Sequence, residues 1–138
     1  MKFVLVIIVG ICLWSYTQGY TTEEWADLVK TLRAECRKET GVEDLTIQKV
    51  YQTAVVDKSD ISLLKYIQCI ATNGGFVDEE GNVNEDVTIT HLKKLGISDA
   101  VITKALQSCI KKSEDIQLKI VYYYECYRKY LPERVFAV

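Results

Sequence analysis

Four cysteines, Cys36, Cys69, Cys109 and Cys126, restrict the folds open to this chain more than any other feature. Their spacing is C-x32-C-x39-C-x16-C, and tying them in pairs joins segments that are far apart along the chain. A fifth, Cys12, falls in a stretch with the marks of a secretory signal: Lys2 as a short basic start, an apolar run from Phe3 to Leu13, then the more polar Ser15–Gly19. Thr17 and Gly19 take the small-residue positions of a cleavage site before Tyr20, and the apolar run is too short for a comfortable membrane span. The chain is therefore divided into a signal peptide, 1–19, and one domain, 20–138. Cleavage leaves about 119 residues, a formal charge of −3 and an even number of cysteines. In a secreted chain an even count reads as disulfides. A domain of this size can bury a real core, so two bridges would supplement that core and not replace it.

A single proline, Pro132, and repeated 3.6-residue spacing of apolar residues predict an all-α fold of six short helices. Thr21 and Glu24 form a capping box for the first, with Trp25, Leu28, Val29, Leu32 and Cys36 on its apolar face and Gly41 as its stop after Thr40. Leu45, Ile47, Val50 and Tyr51 suggest a short second helix. The third, Asp60–Ala71, carries Cys69 beside an apolar face of Leu63, Leu64, Ile67 and Ile70, with Ser59 or Asp60 as its cap. Asn73-Gly74-Gly75 ends it. The acidic run 78–82 is read as a solvated turn, because a calcium-binding EF-hand loop needs its glycine at the sixth position and Gly81 is fourth. A fourth helix turns Ile89, Leu92 and Leu95 inward and stops at Gly96. A fifth, capped at Ser98-Asp99, carries Val101, Ile102, Ala105, Leu106, Cys109 and Ile110. The sixth opens at Ser113-Glu114-Asp115 and is apolar nearly all round, from Ile116 to Tyr127, which places it at the centre of the bundle.

Spacing alone leaves all three pairings of the four cysteines open. A Cys109–Cys126 bridge carries a geometric condition. In a tight antiparallel hairpin the two residues would differ by roughly 10 Å in height at 1.5 Å rise per residue. Either the two helices cross or the loop between them climbs back.

Catalytic chemistry finds little to work with. His91 is the only histidine, so a histidine-dependent triad would need it, and no serine sits in a nucleophile-elbow setting. The chain has no HExxH, CxxC or glycine-rich phosphate loop, and no calcium loop with a His-Asp motif as a secreted helical phospholipase would need. The wide cysteine spacings favour bridges over a zinc site. No enzyme activity, metal or cofactor is expected. Weak acidity argues against nucleic acid or an anionic membrane as a partner.

The runs Cys36–Val42 (CRKETGV), Leu64–Cys69 (LKYIQC) and Gly75–Gly81 (GFVDEEG), with the cysteine spacing, resemble the insect odorant-binding proteins, the pheromone- and general-odorant-binding family. The resemblance covers essentially the whole mature chain. Six-cysteine members carry Cys-x3-Cys on the third helix and Cys-x8-Cys on the sixth, and here Lys65 and Gln117 stand at the two missing positions. Those two cysteines are bonded to each other in the family, so their joint loss resembles the four-cysteine, minus-C subgroup. The resemblance implies the pairs Cys36–Cys69 and Cys109–Cys126, crossing helices, and a hydrophobic cavity that carries a small apolar ligand. It also predicts that Lys65 and Gln117 are neighbours, with the lysine ammonium reaching to solvent.

Residues for the wall of such a cavity, taken from the inward faces, are Leu28, Leu32, Ile47, Val50, Leu63, Ile67, Leu92, Leu106, Ile110, Ile120, Tyr123, Tyr124 and Phe136. For each, plain core packing is an equally good reading. Tyr123 and Tyr124 can offer a hydroxyl to a ligand, although a buried tyrosine bonded to backbone is the plainer expectation. Trp25 reads as core more than as pocket wall. The apolar tail from Pro132 to Val138 either folds over the cavity through Phe136 and Val138 or ends unstructured. His91 is read as an exposed histidine on a short helix, with a pH switch as the sharper alternative. The expected function is a secreted carrier, a monomer or weak homodimer in sensillum lymph, haemolymph or glandular fluid, with a membrane chemoreceptor as a further candidate partner. The rivals are a secreted helical signalling or interaction protein acting on a receptor, which should have a solid core, and a non-olfactory ligand scavenger in haemolymph or gland.

Overall fold

The structure is a computed structural model that describes residues 21–110 and 112–137. The expected signal peptide and Val138 lie outside the described residues. Six helices follow one another: α1 Thr22–Thr40, α2 Asp44–Thr53, α3 Ile61–Asn73, α4 Glu85–Lys94, α5 Asp99–Ser108 and α6 Ile116–Tyr130, with a short 3-10 turn at Glu133–Val135. The fold is all-α, and its bridges are Cys36–Cys69 and Cys109–Cys126. Apart from an isolated antiparallel bridge between Val77 and Val83, the described residues form no β-structure.

Local signals account for most helix ends. Thr21 Oγ1 accepts from the Glu24 N–H at 3.1 Å while the Thr21 N–H donates to Glu24 Oε2 at 2.9 Å, the reciprocal pair of a capping box. Side chains of Asp60, Asn84, Ser98 and Asp115 cap α3 to α6 in the same sense, each accepting from an N–H three residues on. Only α2 begins without a side-chain cap bond, at Glu43. It was also the least well marked helix in the sequence. Leu45, expected on its inner face, is 75% exposed, and Ile47 and Val50 alone bury it.

The apolar side chains gather into two cores. The larger joins α1, α2, α3 and the first half of α6, with Cys36, Leu63, Tyr66, Ile67 and Val121 at 2% exposure or less. The smaller joins Leu92 of α4, Ile97, Ile102 and Ala105 of α5, and Leu131 and Val135 of the tail. α3 is sandwiched between α1 and α6. α6, expected at the centre, packs against both α3 and α5 and contributes to both cores, with Ile120, Val121, Tyr124 and Cys126 buried, although Leu118 is 40% exposed. Tyr122, Tyr123 and Tyr127 are half-buried, which suits a ring with one polar end.

The Cys109–Cys126 bridge meets its geometric condition through the loop. α5 stops at Ser108, so Cys109 already lies past the helix end. The ten steps from Ile116 to Cys126 rise about 15 Å, and a six-residue connection reaches about 20 Å when extended. The chain climbs back before α6 begins. In the acidic turn, the Asp78 carboxylate accepts from the N–H groups of Glu80 and Asn82, both at 2.9 Å. Those bonds hold the carboxyl below its ordinary pKa, and they give it the work of a turn former.

Candidate functional site: an apolar chamber behind an open groove

The two cores do not fuse, and a chamber of about 120 Å³ remains between them. One wall comes from the larger core: Ile67, Ile70 and Ala71 of α3 with Ile120, Tyr123 and Tyr124 of α6. The facing wall comes from Thr88, His91 and Leu92 of α4, Tyr127, Leu131 and Val135. Phe76, Val77, Val83, Phe136 and Ala137 complete it. A second, open space of about 420 Å³ lies alongside, between the first half of α1 (Trp25, Leu28, Val29, Leu32), the turn Asn73–Phe76 and the outer side of α4. Phe76, His91 and Ala137 border both spaces, so they form the partition between groove and chamber.

That partition is built from stacked rings. The His91 ring sits 4.7 Å from Trp25 and 5.0 Å from Phe76, centre to centre, the latter edge-to-face. One edge of the Phe76 ring lies against Gly74, where an added Cβ would come 2.6 Å from it. Glycine is needed there for close approach, not for backbone angle. His91 is 8% exposed, which corrects the expectation of an exposed histidine. Burial, with Lys94 nearby, lowers its pKa from 6.5 to about 4, so the imidazole is neutral at pH 7. Trp25 is a groove wall as well as a packing residue, which the sequence reading had ranked second.

The tail is docked. The Trp25 indole N–H donates to the Arg134 carbonyl at 2.8 Å, Arg33 Nε to the Ala137 carbonyl at 2.6 Å, and Arg134 to the Leu95 carbonyl at 2.8 Å. Phe136 packs edge-to-face on Tyr124 with ring centres 5.5 Å apart. Arg128 donates to the Tyr124 hydroxyl and to the Tyr51 carbonyl, both at 2.8 Å, and its guanidinium lies 5.4 Å from the Phe136 ring centre. The partner of the Tyr124 hydroxyl is thus a side chain, where backbone had been expected. Burial raises the Tyr124 pKa, against the opposing pull of Arg128.

The thirteen residues proposed from sequence separate into three groups. Ile67, Leu92, Ile120, Tyr123, Tyr124 and Phe136 border the chamber, and Leu28 and Leu32 border the groove. Ile47, Val50 and Leu63 are buried in the larger core away from both spaces, and Leu106 packs against the smaller one. Ile110 is 69% exposed, because α5 ends before it and the chain has already turned outward. Chamber residues that the sequence reading does not point to include Phe76, Val77, Thr88, His91, Tyr127, Leu131 and Val135. For α4 a signal existed: Thr88, His91 and Leu92 recur at helical spacing, but counting only apolar residues selected Ile89, Leu92 and Leu95, a face rotated toward half-buried positions.

Comparison with known proteins agrees with this architecture. A profile described as the PBP/GOBP family matches residues 18–130, and the chain belongs to that family, the insect odorant-binding family. It is a family of carriers that bind small hydrophobic ligands. The "Short form salivary protein D7R5" of Anopheles gambiae is 33% identical over 52 residues, which cover 38% of this chain. The match spans 31% of the length of that relative. No helix among the described residues is long and apolar enough to cross a membrane.

Proposed function

We propose that this protein is a secreted carrier that takes up small, largely apolar molecules in the chamber and the adjoining groove and moves them through aqueous fluid without chemistry. The observation that carries the reading is the chamber itself. A helical signalling protein of this size gains stability by fusing its two cores, whereas here a ring-lined space is kept between them, bordered on one side by the tail. Chamber and groove together reach the size range of small-molecule sites, while the chamber alone is nearer the size that takes one aromatic ring. Chamber-lining Ile67, Leu92, Ile120, Tyr123, Tyr124 and Phe136, with Leu28 and Leu32 in the groove, are the residues proposed to touch the ligand. Burial of its apolar surface would supply about 25 cal/mol per Å² before association costs. The minus-C assignment and the signal peptide belong to the same reading: two bridges join the described helices, and relatives in the family are secreted.

The test is displacement of N-phenyl-1-naphthylamine from delipidated protein by small alcohols, esters and terpenes. Saturable, competitive binding is expected. Absence of any saturable binding overturns the carrier reading in favour of a signalling role. Mass spectrometry of material co-purified from the native tissue would then name the ligand.

A further inference from the structure

Resting on the carrier reading, the passage between groove and chamber narrows to one side chain. Phe76, His91 and Ala137 border both spaces and close one from the other. Two of the three are held in place. His91 stands on a helix, is buried, and has its ring against Trp25 as well as Phe76. Ala137 is buried, presents only a methyl, and its carbonyl accepts from Arg33 Nε at 2.6 Å. Phe76 differs from both. It is half-buried and lies on the turn between α3 and α4. Its backbone is pinned on two sides: the N–H donates to the Ala71 carbonyl at 2.9 Å, and the carbonyl accepts from the Asn84 N–H at 2.8 Å. The turn is thereby tied to the end of α3 and to the start of α4, and the ring is what remains to move.

The ring has a defined seat. Gly74 lacks a Cβ, and the edge of the Phe76 ring takes the space that a Cβ would fill. On its other side the ring meets His91 edge-to-face. Leaving that seat takes a rotation of the side chain and breaks no backbone hydrogen bond. We propose that Phe76 is the gate of the chamber: seated on Gly74 the ring separates chamber from groove, and swung off it the ring lets a ligand through. A gate lies on the path and not in the end state, so it changes association and release together and leaves their ratio alone. A plain wall residue behaves differently, because loss of its contact raises koff and hardly touches kon.

Fluorobenzene, a single ring matched to the chamber, separates these two roles when its exchange is followed by fluorine NMR on the wild type, Phe76→Ala and Phe76→Leu. Phe76→Ala should raise kon and koff together by about tenfold, with Kd held within about threefold, and Phe76→Leu should fall between. In the wild type, relaxation dispersion at the labelled Phe76 Cβ should report a side-chain motion no slower than ligand release, a readout that needs no variant. Unchanged rates in Phe76→Ala, a rise in koff alone, or a Phe76 side chain that stays in one rotamer while the ligand exchanges would overturn the gate and leave the carrier reading intact. Faster exchange in Arg33→Ala but not in Phe76→Ala would do the same, by putting the route past the tail. No binding of fluorobenzene to the wild type would overturn both.

Discussion

The two cores of this molecule differ in size and in whether a disulfide lies inside them. Around Cys36–Cys69, the larger core is packed nearly solid, with Tyr66 and Leu63 among its fully buried side chains. The smaller core consists of six buried residues from short helices and the tail, with several half-buried neighbours, and neither Cys109 nor Cys126 is among them. On the chain-entropy view the bridges, at separations of 33 and 17 residues, differ by well under 1 kcal/mol. The strength of the two cross-links therefore does not explain the contrast; their placement does, since only Cys36–Cys69 lies within a core. The chamber lies where the larger core faces the smaller one, so one wall comes from the longer helices α3 and α6 and the other from a short helix and a docked tail. A carrier needs that asymmetry, because local opening is drawn from the least densely packed elements.

The largest effect should come from breaking the solid side. Leu63 is 1% exposed and borders neither space, so Leu63→Ala should cost about 4 kcal/mol, near the upper end for buried leucines. Leu106→Ala, at a half-buried position in the smaller core, should cost about half that or less. Urea unfolding of both variants checks the ratio. Equal costs would mean the two cores form one cooperative unit with no weaker half.

The next effect comes from adding a tether to the solid side. Gln117 Nε2 donates to Gln68 Oε1 at 3.1 Å, which brings α6 against α3 three residues from Lys65. Lys65 itself is exposed. The double variant Lys65→Cys/Gln117→Cys is predicted to close a third bridge and stabilise by about 3 kcal/mol, with slower ligand exchange. Thiol titration after oxidative refolding decides it: two free thiols would show that the two positions do not face one another.

pH separates the two regions by sign. At the chamber wall, His91 has a folded pKa of about 4 against 6.5 ordinarily. Between those values the unfolded chain holds a proton the folded chain does not. Stability from this group is therefore full above about pH 6.5 and declines as pH falls toward 4, by roughly 3 kcal/mol over the whole interval. In the solid core, burial raises the Tyr66 pKa from 10 to about 12, so its contribution is present below pH 10 and is lost as pH rises toward 12. Denaturation of wild type and His91→Gln at pH 7.5 and 4.5 tests the acid limb. An acid loss as large in the variant as in the wild type would remove His91 as its source.

The sequence showed the helices more clearly than the space between them, for a physical reason. Capping side chains and apolar spacing act within a few residues, so Thr21, Asp60, Ser98 and Gly41 could be read directly. The pairing of the cysteines was not legible from spacing and came only from the family resemblance. The chamber is a failure of two cores to merge, and that depends on which faces meet. Leu63 and Ile67 lie on one apolar stripe of α3 one turn apart, yet only Ile67 borders the chamber. His91 and Thr88 were missed as wall residues because a polar name on a short helix suggests solvent, and only packing from Trp25 and Phe76 buries the imidazole.

The smallest prediction isolates backbone cost from packing within the solid half. α1 and α2 end in the same left-handed geometry, at Gly41 with φ 70° and at Ala54 with φ 58°, and in each the terminal N–H bonds to a carbonyl four residues back at 2.8 Å. Glycine adopts this region freely, whereas a Cβ is disfavoured there by about 1 kcal/mol or more. A Cβ on Gly41 would meet nothing within 4 Å, so Gly41→Ala carries the conformational cost with no steric addition. Ala54→Gly is expected to stabilise by somewhat under 1 kcal/mol, since glycine also gains freedom in the unfolded chain, and Gly41→Ala to destabilise by a similar amount. Opposite, nearly equal shifts in urea midpoint should appear, with the double variant close to wild type. If Ala54→Gly destabilises instead, the Ala54 methyl contributes packing that outweighs its strain, and the end of α2 belongs to the solid core more firmly than its uncapped start suggests.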